Sequence, residues 1–158
     1  MAINWYLMPG KPTSMDFALA EAEAAAARGE VPVGAVLVDS RSGEVMARAG
    51  NRVEELKDPT AHAEMLVIRA AAHAAGLKRL ESADLYVTLE PCAMCAAAIS
   101  FARLRRLYFG AGDPKGGGVE HGARFFSQAT CHHRPEVYGG IAERAASDLL
   151  RTFFRGRR

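Results

Sequence analysis

The sequence predicts an α/β fold: a three-layer α/β/α domain with a mixed sheet of about five strands flanked by helices. Three observations predict it. The chain has 158 residues, the size of one compact domain, and its 49% apolar and 24% charged residues are ordinary globular values. After an opening helix and hairpin, helical and extended segments alternate. Strands joined by crossover helices normally run parallel, while a hairpin is antiparallel, so the sheet is mixed. No linker, low-complexity tract or internal repeat divides the chain. Residues 14–158 therefore read as a single domain, behind a loose lead-in at 1–13 that holds Pro9, Gly10 and Pro12.

Taken in order, the first helix is expected from Ser14 to Arg28. Met15, Ala18, Leu19 and Ala22 share one face, and Gly29 is the stop. Val33 to Val38 is a β-branched apolar run, Asp39 to Gly43 is rich in turn formers, and Val45 to Ala49 resumes an extended pattern. Together they predict a hairpin. Asp58-Pro59-Thr60 breaks the chain before a helix at 61–75, stopped by Gly76. Asp84 to Leu89 alternates as a strand, Pro91 opens a helix reaching about Arg103, and Arg106 to Gly110 is the next strand. A glycine-rich loop at 110–118 leads to an irregular segment, a short strand at 135–138 and a last helix at 142–154.

Composition excludes several classes. The longest nearly apolar stretch, Cys92 to Ala102, is too short to span a bilayer. No charged-then-apolar leader opens the chain, which gives a cytoplasmic expectation. Three cysteines are too few for a disulfide scaffold and fit a reducing compartment. Net charge is only +2, yet the last eight residues carry Arg151, Arg155, Arg157 and Arg158 and no acid. Such a tail is either a phosphate-facing edge or a solvated helix end complementing the dipole.

The chemistry concentrates in His62-Ala63-Glu64 and Pro91-Cys92-Ala93-Met94-Cys95, each at the start of an expected helix. Cysteines three apart share one helix face, and a helix N-terminus favours thiolate. Cys92, Cys95 and His62 make a three-ligand zinc set. Structural zinc sites are usually closed by four protein ligands, so three point to catalysis. Zinc lowers the pKa of a water from about 15.7 toward 7, and Glu64 is the carboxylate placed to accept that proton. Residues two apart diverge on a regular helix, so His62 and Glu64 converge only off its end, within the first turn. A redox dithiol would leave His62 and Glu64 idle, and a closed structural zinc would recruit Cys131, His132 or His133. The catalytic reading uses every residue of the group.

His-x-Glu followed by Pro-Cys-x-x-Cys is a signature of zinc-dependent base deaminases. The stretches 30–38 (EVPVGAVLV), 50–52 (GNR), 58–64 (DPTAHAE), 86–95 (YVTLEPCAMC) and 153–158 (FFRGRR) resemble the bacterial tRNA-specific adenosine deaminases, of the cytidine/deoxycytidylate deaminase superfamily, over about residues 14–158. The resemblance implies a cytidine-deaminase-like fold, a homodimer, one zinc ion per subunit, and conversion of adenosine to inosine at the wobble position of a tRNA anticodon loop. It implies that His62, Cys92 and Cys95 hold zinc and that Glu64 shuttles protons. Pro32, Val33 and Leu89 would line the base pocket, and Asn51 would contact the target nucleoside. Asp113 would meet a neighbouring ribose, Lys115 a phosphate, and Phe154 with Arg157 the flanking nucleotides. The alanine-rich helix after Cys92 has side chains small enough for close packing of two subunits. Of Phe153 and Phe154, one is expected to pack and one to stay partly exposed.

The chain departs from the commoner pattern of that family between Gly116 and Val137, near the expected substrate mouth. His132 and His133 are read there as turn residues before Pro135 rather than as nucleic-acid contacts. An alternative activity is deamination of a free base or nucleoside, such as guanine or cytosine, by the same zinc chemistry. The basic tail and Asp113-Pro114-Lys115 favour the tRNA substrate, and Glu64 with the open ligand set disfavours a non-catalytic RNA-binding module.

Overall fold

In the computed structural model, which describes residues 13–157, Thr13 sets the first element. Its hydroxyl accepts the Asp16 N–H at 3.2 Å, and the Asp16 carboxylate accepts the Thr13 N–H at 2.6 Å. This reciprocal capping box starts α1 (Ser14–Ala27). The rest of the lead-in, and Arg158, lie outside the described residues. Met15, Ala18 and Ala22 are buried on one face as the periodicity predicts, while Leu19 is only half-buried at the rim. A side chain at Gly34 would run into the backbone of α1 at Ala18, so the glycine lets the helix lie directly on the sheet.

The hairpin forms from β1 (Gly34–Asp39) and β2 (Val45–Gly50), with a register shift between Leu37 and Val38. A single turn, α2 (Val53–Leu56), then precedes α3 (Ala63–Ala75). Next come β3 (Ala83–Leu89), α4 (Ala93–Phe101) and β4 (Arg106–Ala111). A 3-10 turn (Phe125–Ser127), β5 (Glu136–Tyr138) and α5 (Glu143–Arg155) complete the chain. The order of expected elements holds; α2 and the 3-10 turn are additions. Two helices are shorter at their starts than expected, because His62 and Cys92 are extended N-cap residues rather than members of the helices.

The five strands lie in the order β2-β1-β3-β4-β5. β1 is antiparallel to both neighbours, and β3, β4 and β5 are mutually parallel, so the sheet is mixed. The α3 crossover links β2 to β3, which run the same way with β1 between them. Helices α1 and α5 cover one face, and α3 with α4 cover the other. The larger core lies under α3 and α4, where Val67, Leu85, Val87, Ile99 and Phe109 are almost fully buried. Ligands of open α/β sheets bind outside the carboxyl ends of the strands. Here β3 and β4 end together, with Leu89 paired to Ala111, and release Glu90 and the 112–121 loop toward one rim.

Candidate metal centre and substrate pocket

The three predicted ligands meet. The Nδ1 atom of His62 lies 3.5 Å from Cys95 Sγ and 3.7 Å from Cys92 Sγ, and all three ligand atoms fall within 4.8 Å of one another. A tetrahedron with metal–nitrogen and metal–sulfur bonds of about 2.0–2.3 Å has edges of about 3.5–3.8 Å. The two imidazole–thiol distances and the donor chemistry therefore fit zinc. Among the described residues no other group of three or more metal-ligating side chains assembles, so the set has three protein ligands.

Cap geometry, not a shared helix face, brings these atoms together. Cys92 is the N-cap of α4, with extended φ −70° and ψ 174°, and Cys95 is three residues on. An N-cap side chain and the side chain three residues later are neighbours, the arrangement that a capping box uses. His62 is likewise the extended N-cap of α3, at φ −73° and ψ 149°. That conformation swings its ring off the end of the helix toward α4 and resolves the divergence of positions 62 and 64.

Burial and pairing shape the titration of this group. A hydrogen bond from Cys95 brings the Cys92 thiol down to about 4, and the same bond with burial pushes Cys95 up. Burial pushes the Glu64 carboxyl up to about 7. Glu64 is 4% exposed, and its Oε2 is buried with no hydrogen-bond partner. A desolvated carboxylate oxygen left unbonded is costly, and such a group is suited to taking up a proton.

These residues open onto a cavity of about 830 Å³, whose walls include Val33, Asn51, Glu64, Leu89, Asp113 and Phe154. Asn51 is buried and its Oδ1 accepts the Ala63 N–H at 2.9 Å, which leaves its Nδ2 as the end available to a ligand. Pro32 is buried and is not one of the wall residues, although Val31 and Val33 on either side of it are. The Oδ1 of Asp113 accepts the N–H groups of Lys115 and Gly116 at 3.2 and 2.9 Å, so Oδ2 is the oxygen left for other partners.

Lys115 stands in an adjoining groove with Arg151, Phe154, Arg155 and Arg157. Phe153 is half-buried and Phe154 is 49% exposed, the division expected for this pair. Arg157 donates to the Gly29 carbonyl at 3.2 Å and lies 4.1 Å over the Phe153 ring, so it is tied to the body of the domain. Cys131 and His133 are structural. Cys131 Sγ donates to the His133 carbonyl at 3.1 Å, and His133 Nε2 bonds the Leu104 carbonyl at 2.6 Å. His132 presents its carbonyl to Arg103 at 3.3 Å.

Two buried carboxylates were not singled out by the sequence. Glu30 accepts the N–H groups of Glu54 and Glu55, each at 2.9 Å, and so holds α2 against the cavity. Glu90 stands under the 112–121 loop. Burial opposes its charge, but N–H groups of Asp113, Val119 and His121 and the His121 ring outweigh that and hold the carboxyl below its ordinary range. The one signal available was position, since a carboxylate directly before Pro-Cys must lie near the metal.

Comparison with known proteins agrees with this geometry. Residues 10–111 match the family model for the cytidine and deoxycytidylate deaminase zinc-binding region. The tRNA-specific adenosine deaminase of Agrobacterium fabrum is 65% identical over 144 residues, 91% of this chain and 93% of its own. That of Rickettsia bellii is 46% identical over 138 residues, 87% of this chain and 95% of its own. A solved structure from work on A-to-I editing by tRNA:A34 deaminases at the wobble position of transfer RNA superposes with a TM-score of 0.84 and 64% identity, over 87% of this chain and 98% of that one.

Proposed function

The chain belongs to the cytidine and deoxycytidylate deaminase zinc-binding family and, within it, to the tRNA-specific adenosine deaminases, and from that premise we propose how its residues share the work. The protein is a zinc-dependent hydrolase that converts adenosine to inosine at the wobble position of a tRNA anticodon. The observation that carries the assignment of roles is the unpartnered Oε2 of Glu64, buried beside a ligand set with tetrahedral spacing.

His62, Cys92 and Cys95 hold one zinc ion per subunit. When bound, the metal supplies Lewis acidity that brings ionisation of water into the neutral range. Glu64 Oε2 accepts the proton of the attacking water and passes it to a ring nitrogen of adenine. A C–O bond forms at C6 as the ring C=N π bond opens. Glu64 then carries the remaining proton from the new hydroxyl to the amino group, the C–N bond breaks as the C6 carbonyl forms, and ammonia leaves. Val33 and Leu89 enclose the purine, with Pro32 behind them setting the path of the wall. Asn51 Nδ2 donates to the target nucleoside, and Asp113 Oδ2 meets a neighbouring ribose. Lys115 and Arg155 face phosphates, and Phe154 with Arg157 meets the flanking nucleotides. An anticodon loop is already single-stranded, which lowers the cost of unstacking the target.

A homodimer is supported by α4, where Phe101 is 76% exposed beside the small Ala93, Ala97 and Ala98. Sedimentation as a monomer at micromolar concentration would count against it. No helix of the described residues is long and apolar enough to cross a membrane. A tRNA substrate and a thiolate metal site both fit a reducing cytoplasm.

The test is a paired assay. An anticodon stem-loop with adenosine at the wobble position is incubated beside free adenosine, cytidine, guanine and cytosine, and nucleoside analysis reports the products. Inosine from the stem-loop alone is expected. Turnover of a free base or nucleoside alone would retain the metal chemistry and overturn the substrate.

A further inference from the structure

We propose that Glu90 is a positioning residue whose buried carboxylate is the hub on which the 112–121 loop folds, so that it sets the place of Asp113 at the substrate mouth. The proposal rests on the reading of Asp113 as a tRNA contact and names what holds that contact in place. Glu90 is 2% exposed, directly after β3 and two residues before Cys92. Its Oε1 accepts the Asp113 N–H at 3.0 Å and faces His121 Nδ1 at 2.6 Å. Its Oε2 accepts three consecutive N–H groups, those of Val119, Glu120 and His121, at 3.2, 3.0 and 3.1 Å. Both ends of the loop therefore converge on one side chain. No regular secondary structure spans residues 112–121 to provide those bonds otherwise.

The loop packs closely against this carboxylate. A Cβ at Gly117 would collide with the Glu90 carboxylate and with the Asp113 carbonyl, so the chain wraps tightly round the acid. Gly118 donates to the Pro91 carbonyl at 2.8 Å and lies against the backbone of Cys92 and Ala93. Asp113 is thus registered against the metal-bearing end of α4 through Glu90. Four main-chain N–H groups and one ring nitrogen gathered on one buried carboxylate make a directional clamp.

Replacement by glutamine separates its two halves. An amide oxygen at the Oε2 position keeps Val119, Glu120 and His121, and places the amide NH2 at the Oε1 position, between His121 Nδ1 and the Asp113 N–H. The Asp113 N–H then faces a donor. Glu90→Gln should therefore release Asp113 while sparing the far end of the loop. Gly117→Ala displaces the same loop and leaves the carboxylate intact.

The experiment measures stem-loop deamination, zinc content and amide hydrogen exchange in the zinc-loaded protein. Glu90→Gln and Gly117→Ala should each raise KM for the stem-loop about tenfold, the scale of one lost hydrogen bond to a charged group, with kcat within about twofold. Zinc content should match the parent, and the Asp113 amide should exchange about tenfold faster. In an Asp113→Ala background, Glu90→Gln should add less than about twofold in KM, because its effect passes through Asp113. Multiplying KM effects, an unchanged KM in Asp113→Ala, or loss of zinc from Glu90→Gln would each overturn the proposal. Failure of the parent to make inosine would overturn the substrate reading instead, and the exchange rate of the Asp113 amide would still test the clamp.

Discussion

At the scale of single residues, Glu64 is a liability to the fold that its proposed role as proton carrier would explain. A buried carboxylate oxygen without a partner weakens the native state, because it has left water and gained nothing in return. Glu64→Gln keeps the shape and removes the ionisable oxygen. It is expected to lower kcat on the stem-loop by about 10²–10⁴, the usual worth of general acid–base transfer, with zinc content unchanged. Thermal melting should show the variant at least as stable as the parent, and a variant that loses zinc would assign Glu64 to the metal instead. Cys92→Ala and Cys95→Ala should behave in the opposite way, losing metal and stability together, since binding to a thiolate set is part of the folding free energy. Metal analysis and melting temperature check both, and full zinc in either variant would remove that cysteine from the ligand set. That the histidine and cysteines gather was legible in the sequence, because their types and spacing mark a ligand set; the extended N-cap conformations that bring them together were not. Glu90 was not, because most of its partners are main-chain N–H groups between Asp113 and His121, and a main-chain donor leaves no mark on composition.

At the scale of elements, the proposed metal would join the N-termini of α3 and α4, where His62 and Cys92 are the N-caps, two helices that otherwise touch through their apolar faces. Chelation should lower the melting temperature and expose the amides of both first turns, as seen by hydrogen exchange, while the tyrosine stack across β3, β4 and β5 stays intact. In that stack Tyr108 lies 4.5 Å from Tyr86 and 5.1 Å from Tyr138, with interplanar angles of 5° and 17°. It pins β5, a three-residue edge strand whose ladder alone is short. Tyr108→Ala removes two aromatic pairs at once and should cost about 1–3 kcal/mol in chemical denaturation, with zinc retained. The long elements were readable from period and punctuation. The single turn α2 was not, since four residues show no period; it is held by the distant Glu30 carboxylate, which only the folded chain brings near.

At the scale of the whole molecule, charge is unevenly spent. The net value is +2, yet the groove beside the cavity gathers Lys115, Arg151, Arg155 and Arg157. Arg151 is paired with Asp148 at 2.7 Å, and Arg157 is bonded to the Gly29 carbonyl. Lys115 and Arg155 are exposed and form no ion pair among the described residues, so they are the cations available to a polyanion. Each single-strand phosphate neutralised releases about 0.7 of a counterion. Two such contacts predict that log K for the anticodon stem-loop falls with log salt at a slope of about −1.4. Arg155→Ala should shallow that slope by about 0.7 and weaken binding without altering kcat at saturating substrate. Fluorescence anisotropy of a labelled stem-loop across a salt series measures the slope directly. A slope near zero in the parent would mean that this edge meets no phosphate and that α5 keeps its arginines for the helix end. An unchanged slope in Arg155→Ala would move the contact to Lys115 or to the arginines already paired, which binding would first have to release.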